Sequence, residues 1–224
     1  MKKQIQSTLI LGLGERSTQY YTSVLHKKYH EKHGNYHTFP FLMYQIDFNT
    51  INSFLPNQFE ILVPETTKIL NSISKFNASQ YLIPNITLHE TIDKIDHQLN
   101  IVHPIQIAIN HCRIKNIDKV VLFGSRYTMS SNYISKTLKT KGITTIKPSN
   151  EDQLLIDNFR TKTYNNTDTE ADFKVYNHLI QNHTNLYPVI TACTELSLHH
   201  EKLNNLKVID LALLQIDNVL THSL

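Results

Sequence analysis

A cysteine at the end of a predicted strand offers the most specific chemistry in this sequence. Cys193 follows the apolar run Leu186–Ala192 and precedes Thr194-Glu195, where a helix is predicted to begin. A thiol has an ordinary pKa of about 8.5 and works as a base in its thiolate form, which a helix N-terminus stabilises. Cys193 is therefore the first candidate for proton transfer. The competing interpretation is a small buried side chain, since free cysteines are among the most buried residues.

A second polar segment follows an apolar run in the first half of the chain. The run Tyr81–Pro84 is predicted as a strand, and the sequence NITLH from Asn85 to His89 comes directly after it. An amide cannot act as a general base, whereas the hydroxyl of Thr87 could move a proton weakly or simply cap a helix. Ligands of open parallel sheets sit at the carboxyl ends of strands, beside helix N-termini. Two such strand ends facing each other would form a cleft suited to a small carboxylate.

The histidines and glycines of the sequence do not form a recognisable metal or nucleotide motif. His26, His30 and His33 share a helical face at a spacing that can bind zinc, but no HExxH-type context accompanies them. The sequence GLG from Gly12 to Gly14 follows a predicted strand, yet the third glycine and the phosphate-binding lysine of nucleotide loops are missing. We therefore expect neither a metal site nor a cofactor.

Alternating patterns predict the elements that must position these residues. Short apolar runs bounded by Gly, Pro or Asn alternate with longer amphipathic stretches, which is typical of βαβ units around parallel sheets. The predicted strands are Thr8–Leu13, Phe41–Gln45, Tyr81–Pro84, Lys119–Gly124, Ile143–Ile146, Leu186–Ala192 and Leu206–Ile209. The predicted helices are 17–33, 59–76, 88–97, 105–115, 129–141, 152–163 and 172–183, with a last helix after Asp210.

Composition excludes several classes of function. The net charge is only +3 and the basic residues are scattered, so nucleic acid is not an expected partner. No apolar stretch reaches the roughly 20 residues that cross a bilayer, so no membrane association is expected. The two cysteines are too few for a disulfide framework, which favours the cytoplasm.

Four segments, in order along the chain, resemble those of the pyridoxal phosphate-independent aspartate/glutamate racemase superfamily. They are LGLGERSTQYY from Leu11, HGNYHTFPFLMYQIDFNTIN from His33, VVLFGSRYTMSSNYI from Val120 and VITACTELSLH from Val189. The last resembles a Gly-Cys-Thr-Glu signature, with Ala192 in place of glycine. The segment from Asn85 is nearest to the Thr-Asn-Thr-x-His of a broad-specificity branch acting on L-glutamate and L-aspartate, with Asn85 and Ile86 as departures.

The resemblance implies an α/β fold of two similar domains, each with a parallel sheet flanked by helices. The two domains would be related by a pseudo-two-fold axis, with the active site in the cleft between them. Residues 1–105 and 206–224 would form the first domain, and residues 106–205 the second. The resemblance also makes a homodimer an expected assembly.

The resemblance further implies a division of labour at the site. In two-cysteine members one thiol on each face of the substrate moves the α-proton, so Cys193 would serve one face while Asn85 occupies the other acid/base position. Thr87, or a water held by Asn85, would supply a poor second face. Gln215 stands where a histidine is common. The residues expected to bind substrate supply hydroxyl, backbone N–H or charged groups: Ser17, Thr18, Ser125, Thr128, Lys162, Thr194 and Glu195.

Three functions follow as hypotheses. The first is a cofactor-independent racemase acting at the α-carbon of a small acidic amino acid, aspartate or glutamate. The second keeps the fold but uses a single thiol to protonate the enolate formed by decarboxylation of a malonate-type substrate. The third is a non-catalytic descendant that binds a small carboxylate or amino acid.

Overall fold

The computed structural model describes residues 7–203 and 207–222, and the chain divides into two compact units. The first unit ends at His103 and resumes at Gln215, while the second unit is Pro104–Leu214. Each unit contains a parallel sheet flanked by helices, so the predicted α/β class is confirmed. Within the described part of the chain, no helix is both long and apolar enough to cross a membrane.

The first unit is built around a three-stranded parallel sheet. Its elements are β1 (Thr8–Gly12), α1 (Glu15–His33), β2 (Phe41–Gln45), α2 (Asn49–Asn52), α3 (Phe59–Ser74), β3 (Gln80–Leu82) and α4 (His89–Ile92). The strand order is β2-β1-β3, and Thr8 pairs with Phe41 on one side and Gln80 on the other. Because β1 has a neighbour at both edges and is buried along its whole length, only an apolar run such as Leu9–Leu11 suits it.

The second unit is built around a four-stranded parallel sheet. Its elements are α5 (Pro104–Ile114), β4 (Lys119–Phe123), α6 (Arg126–Ser130), α7 (Tyr133–Lys139), β5 (Thr144–Ile146), α8 (Asn150–Tyr164), α9 (Glu170–Thr184), β6 (Val189–Thr191), α10 (Thr194–Ser197), α11 (His200–Leu203), β7 (Val208–Asp210) and the start of α12 (Leu211–His222). The strand order is β5-β4-β6-β7. Phe159 and Tyr176 stack at 4.5 Å between ring centroids in its core, and each such buried side chain stabilises the unit by roughly 1.5–3 kcal/mol.

All seven predicted strands are present, but two predicted helices differ. The helix expected over 88–97 ends at Ile92, because the following residues continue in tight turns such as the bond from the Ile95 N–H to the Ile92 carbonyl. The helix expected over 129–141 is divided into α6 and α7, because Ser131 adopts an extended conformation. The four-residue helices α2, α10 and α11 are too short to show a helical period in the sequence.

The boundary between the units also differs from the sequence-based one. Residues 206–224 were expected in the first domain, but residues 207–214 lie in the second unit, because β7 pairs with β6, as Thr191 with Asp210. Residue 206 lies outside the described residues. The first unit ends at His103 rather than at residue 105. The pairing of the edge strand β7 with β6 decides this boundary, and no feature of the nearby sequence predicts that pairing.

Gln215 connects α12, α1 and the segment before α5 through hydrogen bonds of its side chain. Its side chain is fully buried, its Oε1 accepts a 2.6 Å hydrogen bond from the Tyr21 hydroxyl, and its Nε2 donates to the Val102 carbonyl at 2.6 Å. Here the residue that departs from the family pattern is part of the core of the first unit.

We expect Gln215→Met to lower the free energy of unfolding by about 2–4 kcal/mol, since two buried hydrogen bonds are lost at nearly constant side-chain volume. Urea denaturation measures the change. The control is Asp217→Asn on the same helix, where the exposed ion pair with Lys28 (2.6 Å) should contribute no more than about 1 kcal/mol. Equal effects of the two variants would contradict the structural role assigned to Gln215.

Candidate active site

The carboxyl ends of β4 and β6 lie side by side and carry two of the predicted site segments. The Ala192 N–H donates to the Phe123 carbonyl at 2.8 Å, which joins the residue after β6 to the last residue of β4. A Cβ at Gly124 would lie 2.9 Å from the Thr128 side chain, so only glycine allows this close approach. Cys193 is thereby held next to the β4–α6 turn.

Cys193 is the N-cap residue of α10 and is half-buried. Its backbone is extended, with φ −156° and ψ 130°, and its Sγ donates a hydrogen bond to Oε2 of Glu195 at 2.7 Å. The Glu195 side chain is also half-buried. The thiol and the carboxylate therefore form a pair within one turn of the chain.

This environment keeps the thiol protonated. Burial raises the pKa of Cys193 most, and the charge of Glu195 and its hydrogen bond raise it further. The positive charge of Arg160 and the backbone N–H of Glu195 act in the opposite direction, but the pKa stays well above its ordinary value. The helix N-terminus, which would favour the thiolate, does not outweigh these effects, because α10 has only four residues and places a carboxylate beside the sulfur.

Arg160 is the charged group of this site that the sequence did not reveal. It lies on α8, which packs against α10 and α6, and its Nε contacts Oδ1 of Asp157 at 2.7 Å. The same Asp157 oxygen accepts the Arg126 N–H at 3.3 Å, at the start of α6. An Asp–Arg pair three residues apart is common on helix surfaces, so only the packing of α8 against α10 distinguishes it.

Lys162, predicted to contact substrate, is engaged elsewhere. Its Nζ lies 2.5 Å from Oδ1 of Asp172, the residue that forms the capping box of α9 with Thr169. Hydrogen bonds from Lys162 and Thr169 lower the pKa of Asp172 to about 2. Lys162 thus links α8 to the start of α9, and no described contact joins it to Cys193.

The predicted hydroxyl groups of the second unit lie around the same strand ends. Ser125 caps α6 by accepting the Thr128 N–H at 3.1 Å, and the two hydroxyl oxygens are 2.9 Å apart. Thr128 and Thr194 are buried. The side chain of Ser125 is half-buried and is the more accessible of this group.

The buried carboxylate of Asp210 connects α10 to the start of α12. Asp210 accepts hydrogen bonds from the Ser197 hydroxyl at 2.9 Å, the Thr191 hydroxyl at 3.2 Å and the backbone N–H groups of residues 212 and 213. Burial raises the pKa of Asp210, and the nearby His200 charge and these donors oppose that effect. Asp210 is therefore a positioning residue for the helix that carries Glu195.

In the first unit, Ser17 and Thr18 shape the turn between β1 and α1. The Thr18 Oγ1 accepts the Leu13 N–H at 3.0 Å, and the Ser17 hydroxyl donates to the Gly14 carbonyl at 3.0 Å. Thr18 is buried and Ser17 is half-buried. These contacts hold the turn, and the role of the two residues as substrate ligands stays a prediction.

The Asn85 side chain is oriented by its own helix. Its Oδ1 accepts the Leu88 N–H at 2.9 Å, so its NH2 group is the part that can contact a ligand. Its backbone carbonyl lies 2.8 Å from Nδ1 of His89, which is fully buried. Burial and the charge of His103 lower the pKa of His89 to about 3. Neither Asn85, Thr87 nor His89 is a group that exchanges a proton readily near neutral pH.

Comparisons with known proteins identify the family of the chain. A sequence model of the Asp/Glu/Hydantoin racemase family matches residues 10–218. The chain belongs to this family. The resemblance inferred from the four sequence segments is thus confirmed, whereas a search of curated protein sequences gives no match.

Solved racemase structures share the fold of the whole chain. An aspartate racemase homologue from Pyrococcus horikoshii is 17% identical with a TM-score of 0.79, covering 97% of this chain and 99% of that one. An aspartate racemase from Picrophilus torridus is 17% identical with a TM-score of 0.75, covering 97% and 93%. A glutamate racemase from Bacillus anthracis is 12% identical with a TM-score of 0.57, covering 97% and 81%.

The described residues contain no group of three or more His, Cys, Asp or Glu side chains arranged to hold a metal ion. His26, His30 and His33, the histidines singled out in the sequence, lie on α1. His26 accepts the Phe39 N–H through Nδ1 at 3.2 Å, and His33 contacts the Tyr29 ring. These contacts hold the segment that leads into β2.

Proposed function

We propose that this racemase-family chain moves the α-proton of a small acidic amino acid, aspartate or glutamate, without a cofactor. The observation that carries the proposal is the Cys193 thiol hydrogen-bonded to Glu195 at the carboxyl end of β6. A thiol can both remove and return a proton at carbon when its ionisation is controlled by a neighbouring group. The family membership of the chain and its fold support an isomerase acting at such a carbon.

In the proposed reaction the Cys193 thiol, which donates a hydrogen bond to Glu195, first loses its proton to solvent. The thiolate then takes the α-proton, and the positive charge of Arg160 stabilises the negative charge that passes to the substrate. Return of a proton from the same thiol regenerates the starting enantiomer, and protons move only between solvent, Cys193 and the α-carbon. Inversion requires a second donor on the opposite face.

The second face is the weak part of the proposed reaction. The family resemblance assigns it to Asn85 and Thr87, whose NH2 and hydroxyl groups can donate hydrogen bonds but do not titrate near neutral pH. They would stabilise a developing carbanion or orient a water that returns the proton. We therefore propose that exchange of the α-proton is faster than inversion, so that racemisation is slow or narrow in its substrates.

A second candidate function is favoured by the protonated resting state of Cys193. A thiol that is held neutral by burial and by Glu195 is ready to protonate the enolate left when a malonate-type substrate loses carbon dioxide. That reaction needs one proton donor and no second face. Release of carbon dioxide from a disubstituted malonate distinguishes it from proton exchange.

The test is incubation of the protein with each enantiomer of aspartate and of glutamate in deuterium oxide. Mass spectrometry measures α-deuteration and chiral chromatography measures inversion. The proposal expects deuterium in the unchanged enantiomer to accumulate before the opposite enantiomer does. If no amino acid is deuterated and no malonate releases carbon dioxide, the chain is a carboxylate-binding descendant and the proposal is wrong.

A further inference from the structure

The charged groups around Cys193 have a pattern that the proposed proton transfer does not by itself require. Glu195 contacts the sulfur at 2.7 Å, and Arg160, on the helix α8 that packs against α10, is close enough for its charge to act on the thiol. Arg160 is held at Nε by Asp157 at 2.7 Å and donates from Nη2 to Thr161 at 3.0 Å. A guanidinium has more N–H donors than these two bonds use. The Glu195 carboxylate, a hydrogen-bond acceptor, and the Arg160 guanidinium, a hydrogen-bond donor, are thus held near the same thiol.

The balance of charge in this patch favours a particular class of ligand. Arg160 supplies one positive charge, and the carboxylates of Asp157 and Glu195 supply two negative charges. Burial alone would lower the pKa of Arg160, but the charges of Cys193, Asp157 and Glu195 outweigh it and raise the pKa, so Arg160 stays charged. A ligand that carries only carboxylates meets net repulsion, whereas a ligand that also carries an ammonium group finds a partner in Glu195.

We propose that Glu195 binds the α-ammonium group and Arg160 the α-carboxylate of an amino acid, and that the ammonium group releases the Cys193 thiol for ionisation. This inference rests on the proposed function and names how its substrate is recognised. It gives the substrate contact expected of Glu195 a definite partner, the ammonium group. Arg160 takes the role that was expected of Lys162.

The release of the thiol follows from what holds it protonated. Both the charge of Glu195 and its hydrogen bond raise the pKa of Cys193. An ammonium group on that carboxylate neutralises the charge and competes for the oxygen, so the thiol proton leaves to solvent more easily. Coupling of this kind is reciprocal, so ionised Cys193 also binds the ammonium more tightly.

The other titratable groups beside the thiol do not replace this control. Burial, then the charges of Asp210 and Cys193, raise the pKa of the Tyr176 phenol well above its ordinary value, so it stays neutral. Asp210 is committed to the Ser197 hydroxyl and to the start of α12. Asp157 is committed to Arg160. Glu195 is thus the group whose charge a ligand can change.

The test follows thiolate absorbance against pH in the Cys112→Ala protein, which retains Cys193 as its one remaining cysteine. Aspartate is compared with succinate, and glutamate with glutarate, because each pair differs by the ammonium group alone. We expect the amino acids to lower the pH of thiolate formation by about one unit or more, whereas the dicarboxylates leave it unchanged or raise it.

Two variants complete the experiment. Glu195→Gln should ionise at lower pH without ligand, show no further shift with aspartate, and bind aspartate at least about tenfold more weakly, with succinate binding unchanged or tighter. Arg160→Gln should weaken aspartate and succinate alike, and Arg160→Lys should restore part of that loss. Calorimetry measures the binding, and thermal unfolding confirms that each variant is folded.

Several outcomes would overturn the inference. They are a succinate shift equal to that of aspartate, full aspartate affinity in Glu195→Gln, or no binding of either amino acid to the Cys112→Ala protein. Since no turnover is measured, the result is separate from that of the deuterium experiment. If aspartate lowers the pH of thiolate formation but its α-proton never exchanges, the proposed recognition is supported and the proposed reaction is contradicted.

Discussion

Cys193→Ala is expected to lower the rate of α-deuteration by about 10²–10⁴-fold, the range that a positioned acid/base contributes. The thiol is the group at this strand end that can alternate between proton donor and acceptor. In the alanine variant no ionisable group occupies the position of the sulfur. Deuterium incorporation under saturating aspartate or glutamate measures the loss.

Two further variants make this result specific to the thiol. Cys193→Ser keeps a small polar group but replaces an ionisable thiol with a hydroxyl, so it should be nearly as slow as Cys193→Ala. Cys112→Ala removes the other cysteine, which is fully buried on α5 and whose pKa burial raises to about 11, and it should exchange at the rate of the unmodified protein. Equal rates in Cys193→Ala and Cys112→Ala would remove Cys193 from the reaction.

The second large effect is expected in the acid stability of the first unit. His89 has a pKa of about 3 in the folded chain, lowered from 6.5 by burial and by the charge of His103. The unfolded chain binds a proton at His89 below about pH 6.5, while the folded chain does not until far lower pH. The stabilisation is therefore complete above pH 6.5 and is lost progressively toward pH 3, by at most about 5 kcal/mol.

The measurement is the free energy of unfolding in urea at a series of pH values. His89→Asn should flatten the slope between about pH 6 and pH 4, because asparagine does not titrate, and its amide can still donate to the Asn85 carbonyl in place of Nδ1. His30→Asn, an exposed position on α1, is the control and should leave the slope unchanged. An unaltered slope in His89→Asn would show that the acid sensitivity has another origin.

The strands were predictable from the sequence because their residues are buried in runs. β1, β4 and β6 lie inside their sheets and are buried over most of their length. Side chains on both faces of each strand are therefore apolar and form a continuous apolar run in the sequence. The ends of helices were less predictable. The break at Ser131 depends on one backbone conformation, and the assignment of residues 207–214 to the second unit depends on the pairing of β7 with β6.

The candidate site was predictable only where the sequence joins a chemical group to a strand end. Cys193 and Asn85 follow strands directly, and the rule for parallel sheets places such residues near ligands. Arg160 lies in the middle of α8, three residues after Asp157, and looks like any surface pair until α8 is packed against α10. The family resemblance points to Lys162 instead, and nothing in the sequence shows that Asp172 binds it.

The bond between Cys193 and Glu195 has a consequence for the chemical durability of the chain. Oxidants and electrophiles attack the thiolate, so a sulfur that rests in its neutral form reacts slowly with peroxide or alkylating metabolites. If the substrate removes that protection only while it occupies the site, the cysteine is exposed to damage when it is also covered by the molecule it acts on. The carboxylate of Glu195, two residues away, thus protects Cys193 from oxidation and alkylation whenever no substrate is bound.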